Sequence, residues 1–283
     1  MHILLSRVFV TLVLVTAAAA AGFFLWRNYV LSPWTRDGRV RANVVEVAPD
    51  VAGQVVELKV RDNQRVRKGD VLFVIDQERF RLAVEQAVAA ISGRQAERDE
   101  LNREYQRRTK LSEAAVAAET VEKARAAVLS ADAALAQAQV DLGVAKLNLE
   151  RAQVRSPVNG YVTNLLLDVG DYATAGKAML AVVDADSFYV LGYFEETKLP
   201  AIRLGARASI RLMSFAQPLD GHVEGVARAI VDREATDGLI ANVNPTFAWV
   251  RLAQRIPVRI AIDHVPEGVE LSAGMTATVV VER

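Results

Sequence analysis

The sequence predicts a mainly β chain with a long inserted α-helical coiled-coil hairpin: a split β-sandwich plus a small antiparallel β-barrel, behind one N-terminal transmembrane helix. Three observations predict it. Residues 8–26 carry no charge, two similar glycine-punctuated half-motifs stand at 47–75 and 154–183, and the stretch between Pro49 and Pro157 holds no proline and is rich in Ala, Glu, Gln, Arg and Leu.

The uncharged run VFVTLVLVTAAAAAGFFLW (8–26) follows a short N-terminus, 1–7, expected in the cytoplasm. As a helix it spans roughly 28 Å, about the hydrocarbon thickness of a bilayer. A cleaved signal peptide is the competing reading, because Arg7 supplies a positive start and Ala17 to Ala21 supply small residues for cleavage. Phe23, Phe24, Leu25 and Trp26 extend the apolar run past those alanines and favour the anchor. Arg7 lies before the run and Arg27, Arg36, Arg39 and Arg41 after it, so the positive-inside count does not orient the chain by itself. No second run of this kind follows, which predicts a single pass.

Residues 27–46 read as a linker and a first barrel strand around Val40 to Val47. The half-motifs come next, at 47–76 and 153–186. Laid together, Gly53 meets Gly160, Val55 meets Val162, Leu58 meets Leu165, Gly69 meets Gly176 and Ile75 meets Val182. Each half alternates apolar and polar residues and then turns, which predicts short strands, with the glycines read as turn residues. Neither half has enough apolar surface to fold alone, so the two are expected to pack face to face.

Between them, 77–152 has helical composition. Val121, Ala124, Val128, Ala131, Leu135, Ala138, Leu142, Ala145, Leu149 and Ala152 recur at alternating three- and four-residue steps. That spacing is a coiled-coil seam, with Val128, Leu135, Leu142 and Leu149 at one heptad position and alanine at the other. Phe80, Val84, Ala87, Ile91, Leu101 and Tyr105 supply the facing helix, with Arg94 and Arg98 interrupting. Two helices over this range make an antiparallel hairpin roughly 50 Å long, its tip near 110–118 and its second helix beginning at Glu119 or Thr120, with Thr120 as a cap. Gly143 reads either as a close contact or as a tolerated glycine. A lone hairpin leaves one seam face open, which points to packing against copies of itself.

From 187 to 283 the chain reads as a β-barrel and membrane-proximal region. Strands are expected at 188–191, 208–212, 222–227, 249–252, 258–262 and 276–281, punctuated by Gly205, Gly221, Gly268 and Gly274.

Composition narrows function. With 34 Lys and Arg against 34 Asp and Glu, and no basic run, there is no footprint for nucleic acid. The absence of Cys removes thiol chemistry and disulfides, and the three His show no metal-ligand spacing. No phosphate loop, dinucleotide fingerprint, nucleophile elbow or zinc-protease helix occurs. His222 and His264 lack triad or metal partners, and Glu195 with Glu196 fits a solvated strand-to-turn segment better than an acid/base pair. The expected function is therefore not an enzyme, and no catalytic, cofactor or metal residue is assigned.

The split half-motifs around an alanine-seamed hairpin, behind one span and ahead of a barrel, resemble the membrane fusion proteins, or periplasmic adaptors, of the hemolysin-secretion (HlyD) type. The resemblance covers almost the whole chain. The half-motifs look like the lipoyl or biotinyl carrier fold, whose carriers bear the prosthetic group on a Lys in a tight turn between the halves. Here residues 77–152 replace that turn and Lys110, Lys123 and Lys146 fall within or at the end of helices, so the resemblance implies no cofactor. Within the family, the strings SPWTRD (32–37), APDV (48–51), DNQ (62–64), FYVL (188–191), EETKL (195–199) and WVRLAQRIPVRI (249–260) are similar to those of adaptor subunits of p-hydroxybenzoic acid, or aromatic carboxylic acid, efflux pumps.

What this resemblance implies is an inner-membrane transporter subunit and an outer-membrane channel as partners, homo-oligomerisation, and a single-pass protein of the inner membrane with its bulk in the periplasm. It places Trp34, Arg36 and Asp37 near the transporter and Arg107, Leu111 and Ser112 at a tip that meets the channel. Adaptors of this type that dock on such a channel often carry Arg, Leu and Ser at the tip. Arg107 and Leu111 fill the first two places, but the expected serine falls on Ala117 or Ala118, which puts that docking mode in question. Two other functions fit the same pattern: an adaptor for a different exporter of drugs, peptides or sugars, and a membrane-tethered structural coiled-coil protein.

Overall fold

The computed structural model describes residues 12–23, 32–111, 118–230 and 253–282. Residues 12–23 form helix α1. Among the described residues no helix is long and apolar enough to cross a membrane, and the remainder of the span expected over 8–26 lies outside them. The chain divides into two compact units, Val44–Asp186 and the pair of flanking segments Met1–Asn43 with Ser187–Arg283.

Strand β1 (Trp34–Arg41) belongs to the flanking unit. The inserted unit then runs β2 (Val44–Val47), β3 (Gly53–Leu58), β4 (Arg65–Val66), β5 (Val71–Ile75), α2 (Glu78–Leu111), α3 (Ala118–Arg151), β6 (Gln153–Arg155), β7 (Gly160–Thr163), β8 (Tyr172–Ala173) and β9 (Leu180–Asp184). Where the sequence suggests one strand around Val40 to Val47, the structure has a break, with Arg41 ending β1 and Val44 opening β2. No glycine or proline stands between Val40 and Val47 to signal the point at which the chain leaves one unit for the other.

The inserted unit holds two antiparallel four-stranded sheets, ordered β2-β9-β7-β4 and β6-β5-β3-β8. Each sheet takes two strands from either half-motif. Exchanging every strand for its counterpart in the repeat turns the first order into the second, so the internal similarity of the sequence is a pseudo-twofold symmetry of the fold. Val55, Leu72, Phe73, Ile75, Val162 and Val182 fill the space between the sheets. Neither half completes a sheet without the other, which is the structural form of their shortage of apolar surface.

The glycine pairs divide into two kinds. Gly69 and Gly176 turn with φ of 93° and 77°, a region that favours glycine. Gly53 and Gly160, read from sequence as turn residues, instead open β3 and β7. A Cβ on Gly53 would lie 2.7 Å from Ile75 Cγ2, and one on Gly160 would overlap the carbonyl of Val183 on the neighbouring strand. Close approach, not turning, is their role.

After the insertion come β10 (Tyr189–Glu195), a 3-10 turn (Glu196–Ala201), β11 (Arg207–Leu212), β12 (Leu219–Val226), β13 (Arg255–Ile262) and β14 (Thr276–Val281). With β1 they close an antiparallel barrel in the order β1-β10-β13-β12-β11-β14. The strand expected at 249–252 lies outside the described residues, and β13 starts earlier than the sequence pattern suggests. Val40, Val190, Phe194, Ile210, Val258, Ile260, Ala277 and Val279 are fully buried inside. Alternation along β11, outward at Arg207, Ser209 and Arg211 and inward at Ala208, Ile210 and Leu212, is the period-two pattern of a strand with one dry face.

Candidate functional site

The two surfaces with functional promise are the hairpin α2–α3 and the end of the barrel at which β1 begins. Ala124, Ala131 and Ala138 of α3 are buried, one per heptad, and Val128, Leu135, Leu142 and Leu149 are half-buried beside them. The small residues mark the line of closest approach, where a methyl side chain lets two helix backbones come together, and the larger ones flank it. On α2, Phe80 is buried and Val84, Ala87, Ile91, Leu101 and Tyr105 are half-buried. Leu129 and Val140 are each 60% exposed and Val144 is 52% exposed, so part of the apolar surface of α3 faces away from α2.

The arginines that interrupt the α2 spacing have partners the sequence does not reveal. Arg98 reaches across the hairpin to Asp132, Nε to Oδ1 at 2.9 Å, and also contacts Asp99 at 3.1 Å. The hydrogen bonds to Asp132 and then to Asp99 raise its pKa above the ordinary guanidinium value. Arg94 stays on its own helix with Glu97 at 2.8 Å. An ion pair inside a seam offers less burial than a leucine, but it is directional and ties one turn of α2 to one turn of α3.

Near the tip, Glu104 accepts hydrogen bonds from Arg108 at 2.6 Å and from Arg107. Those from Arg108 and then Arg107 hold its carboxyl below the usual range. Arg107 is thus an exposed cation tethered to its own helix one turn back. Leu111 closes α2, Ala118 opens α3, and Ser112 and Ala117 lie outside the described residues. Helix α3 begins ahead of Thr120, because alanine and glutamate continue a helix more readily than threonine stops one.

At the barrel, the register puts Trp34, Glu195 and Arg255 at one end and Arg41, Tyr189 and Ile262 at the other. The chain enters at the first end and leaves toward residue 44 at the second. A bulge between Thr35 and Gly38 lets Thr35 turn inward, where Oγ1 donates to the carbonyl of Tyr193 at 2.7 Å and accepts from the amide of Asp37 at 3.1 Å. Asp37 pairs with Arg255 at 2.7 Å, reaching over β10 to β13. Trp34 has the Arg36 guanidinium 5.2 Å from its ring centroid and Lys198 Nζ at 5.1 Å. Lys198, from the 3-10 turn, also donates to the Trp34 carbonyl at 3.3 Å and lies 3.7 Å from Glu195. The sequence points to Trp34, Arg36 and Asp37 but not to Lys198 and Arg255 as their partners, because no local pattern signals contacts between residues so far apart in the chain, nor does it reveal the bulge that turns Thr35 inward.

Elsewhere, His222 Nδ1 lies 2.6 Å from Asp263 on the outer barrel surface, a pairing that suits a structural role. Among the described residues no group of three or more His, Cys, Asp or Glu could hold a metal.

Comparison with known proteins bears on the whole arrangement. Residues 43–185 match the family described as "RND MFP, barrel-sandwich hybrid domain", and residues 187–282 match the "AAEA-like beta-barrel domain". The uncharacterized protein YdhJ of Escherichia coli (strain K12) is 44% identical over 283 residues, covering 99% of each chain. The chain belongs to the RND membrane fusion protein family. Among solved structures, it is similar to the membrane fusion protein Spr0693 of Streptococcus pneumoniae R6, with a TM-score of 0.64 and 20% identity over 87% of this chain and 97% of that one. It is also similar to the periplasmic adaptor protein EmrA, with a TM-score of 0.51 and 17% identity over 90% and 99% of the two chains. At these identities the likeness concerns the fold: a hairpin interrupting a two-sheet sandwich that itself interrupts a barrel.

Proposed function

We propose that this membrane fusion protein is the periplasmic adaptor subunit of an efflux pump that exports aromatic carboxylic acids, held in the inner membrane by residues 8–26 and performing no bond chemistry. The observation that carries the reading is the family match over the sandwich and hairpin, residues 43–185, continued by a barrel match to residue 282. The strings SPWTRD, EETKL and WVRLAQRIPVRI support the aromatic-acid substrate. In this reading the segment around Trp34, Arg36 and Asp37 is turned to the inner membrane and its transporter. Hairpins of several copies associate along α2 and α3 and present Arg107, Leu111 and Ser112 to an outer-membrane channel. The exposed apolar residues Leu129, Val140 and Val144 support association between copies, since such surface is costly to leave in water.

Because the chain has no cysteine, Ser112→Cys creates a unique thiol. A membrane-impermeant maleimide is applied to cells whose outer membrane alone has been permeabilised. Labelling is expected. Labelling that requires rupture of the inner membrane puts the hairpin in the cytoplasm and ends the adaptor reading. A strain lacking the protein should in addition lose tolerance to p-hydroxybenzoate; unchanged tolerance, with labelling intact, removes the substrate and leaves an adaptor for another cargo.

A further inference from the structure

We propose that Trp34, Arg36 and Lys198 form a binding site for the phosphate of an anionic lipid headgroup, so that the entry end of the barrel rests on the membrane surface. The inference builds on the reading of residues 8–26 as an anchor and adds a second, headgroup-specific attachment to it.

Reach is the first argument. From Trp26, the last residue of the uncharged run, to Trp34 the chain can extend at most about 29 Å, so an anchored chain keeps Trp34 close to the headgroup layer. Chemistry is the second. Indole is apolar over most of its surface with one polar N–H, which is why tryptophan collects at membrane interfaces, and Trp34 is half-buried at the rim of the barrel. Charge is the third. Two cations lie against this one ring, at 5.2 and 5.1 Å from its centroid. Of the nearby acids, Asp37 is engaged by Arg255 at 2.7 Å, whereas Glu195, 3.7 Å from Lys198, offsets part of that ammonium's charge, so the exposed Arg36 is the principal cation of the site. Arg36 is exposed and has no carboxylate partner among the described residues, so its guanidinium fork is open to a phosphate. Glu196 on the 3-10 turn has no cationic partner among the described residues and opposes the site. Choline headgroups bring a cation toward Arg36 and Lys198 and are disfavoured; phosphatidylglycerol does not.

The test uses the full chain carrying Trp26→Phe and Trp249→Phe, which leaves Trp34 as the only one of three tryptophans. It is reconstituted in phosphatidylcholine bilayers with and without phosphatidylglycerol. With phosphatidylglycerol, Trp34 emission should shift to the blue and a headgroup-nitroxide lipid should quench it, and both effects should fall at least twofold in Arg36→Gln/Lys198→Gln and weaken in high salt. Glu196→Gln should strengthen them. Equal behaviour in the two bilayers, or no response to Arg36→Gln/Lys198→Gln, overturns the proposal. A shift that inorganic phosphate reproduces in detergent overturns the lipid as its source, and quenching restored only by adding the transporter assigns the surface to protein. Carbonate extraction separates the two layers of inference: release of the chain into the soluble fraction refutes the anchor, whereas retention without dependence on phosphatidylglycerol refutes the headgroup site alone.

Discussion

A methyl group on Gly160 would run into the carbonyl oxygen of Val183, a backbone atom that cannot swing aside, whereas one on Gly53 would press on Cγ2 of Ile75, which can shift a little. Two residues that the repeat makes equivalent therefore differ in tolerance. Overpacking of this kind costs about 1–3 kcal/mol; Gly160→Ala is expected at the upper end and Gly53→Ala at the lower, read from the thermal unfolding of the sandwich. Equal shifts would mean that strand β7 relaxes freely. Glu104 provides a second test at this scale. Its carboxyl is held below its ordinary value by Arg108 and Arg107, so the stabilisation is complete above the unfolded carboxylate pKa, about 4.3, and disappears as the pH falls through the lower folded value. Acid titration of the hairpin should show this loss below about pH 4 in the parent and not in Glu104→Gln. Carboxyl NMR should place Glu104 below a solvated glutamate. A titration at or above the ordinary value would break the assigned contacts.

The hairpin is the most legible element, because a heptad pattern is a statement about one face of one helix and needs no distant partner. Ala124, Ala131 and Ala138 are buried, and Val128, Leu135, Leu142 and Leu149, expected at the other seam position, are half-buried. The repeat is legible for the same reason. What sequence does not supply are pairings across distance: Arg98 to Asp132, Asp37 to Arg255 and Lys198 to Trp34 each join residues on different elements. The passage between units at 41–44 is hidden because Arg41, Ala42 and Asn43 include no glycine or proline to mark a break between the apolar residues on either side. Within α3, a Cβ added at Gly143 would meet no atom within 4 Å, which makes it a tolerated glycine and not a close contact. Gly143→Ala should therefore raise helix stability by about 1 kcal/mol, seen as a higher helical melting temperature. Leu135→Pro, mid-helix in α3, should cost about 3 kcal/mol or more and lower helical circular dichroism; on the proposed adaptor role and anchor it should also abolish export and leave membrane insertion intact. Normal export by the proline variant would remove the hairpin from the mechanism.

At the scale of the molecule, the order of nesting decides how the units depend on each other. The inserted unit is continuous, and its two ends are tied by its own pairing of Val44 with Val183. The barrel is discontinuous: β1 must meet β10 across the whole insertion, at the pairing of Arg41 with Tyr189. While the sandwich is folded it holds those two chain ends together. Once it unfolds, β1 and β10 are joined by a flexible loop, and closing a loop of about 140 residues costs about 5 kcal/mol. Dependence should thus run one way. Phe73→Ala, which empties a fully buried site in the sandwich core at about 3–5 kcal/mol, should lower hydrogen-exchange protection in both units. Phe194→Ala in the barrel core should lower it in the barrel alone. Asn43 and Ser187 supply the control, since the Asn43 amide donates to Ser187 Oγ at 2.8 Å: a barrel in which a short glycine linker replaces residues 44–186 should fold, and the excised 44–186 should fold without it. Barrel protection that ignores Phe73→Ala would show that β1 docks without help from the insertion, and the nesting would then be a matter of connectivity with no energetic consequence.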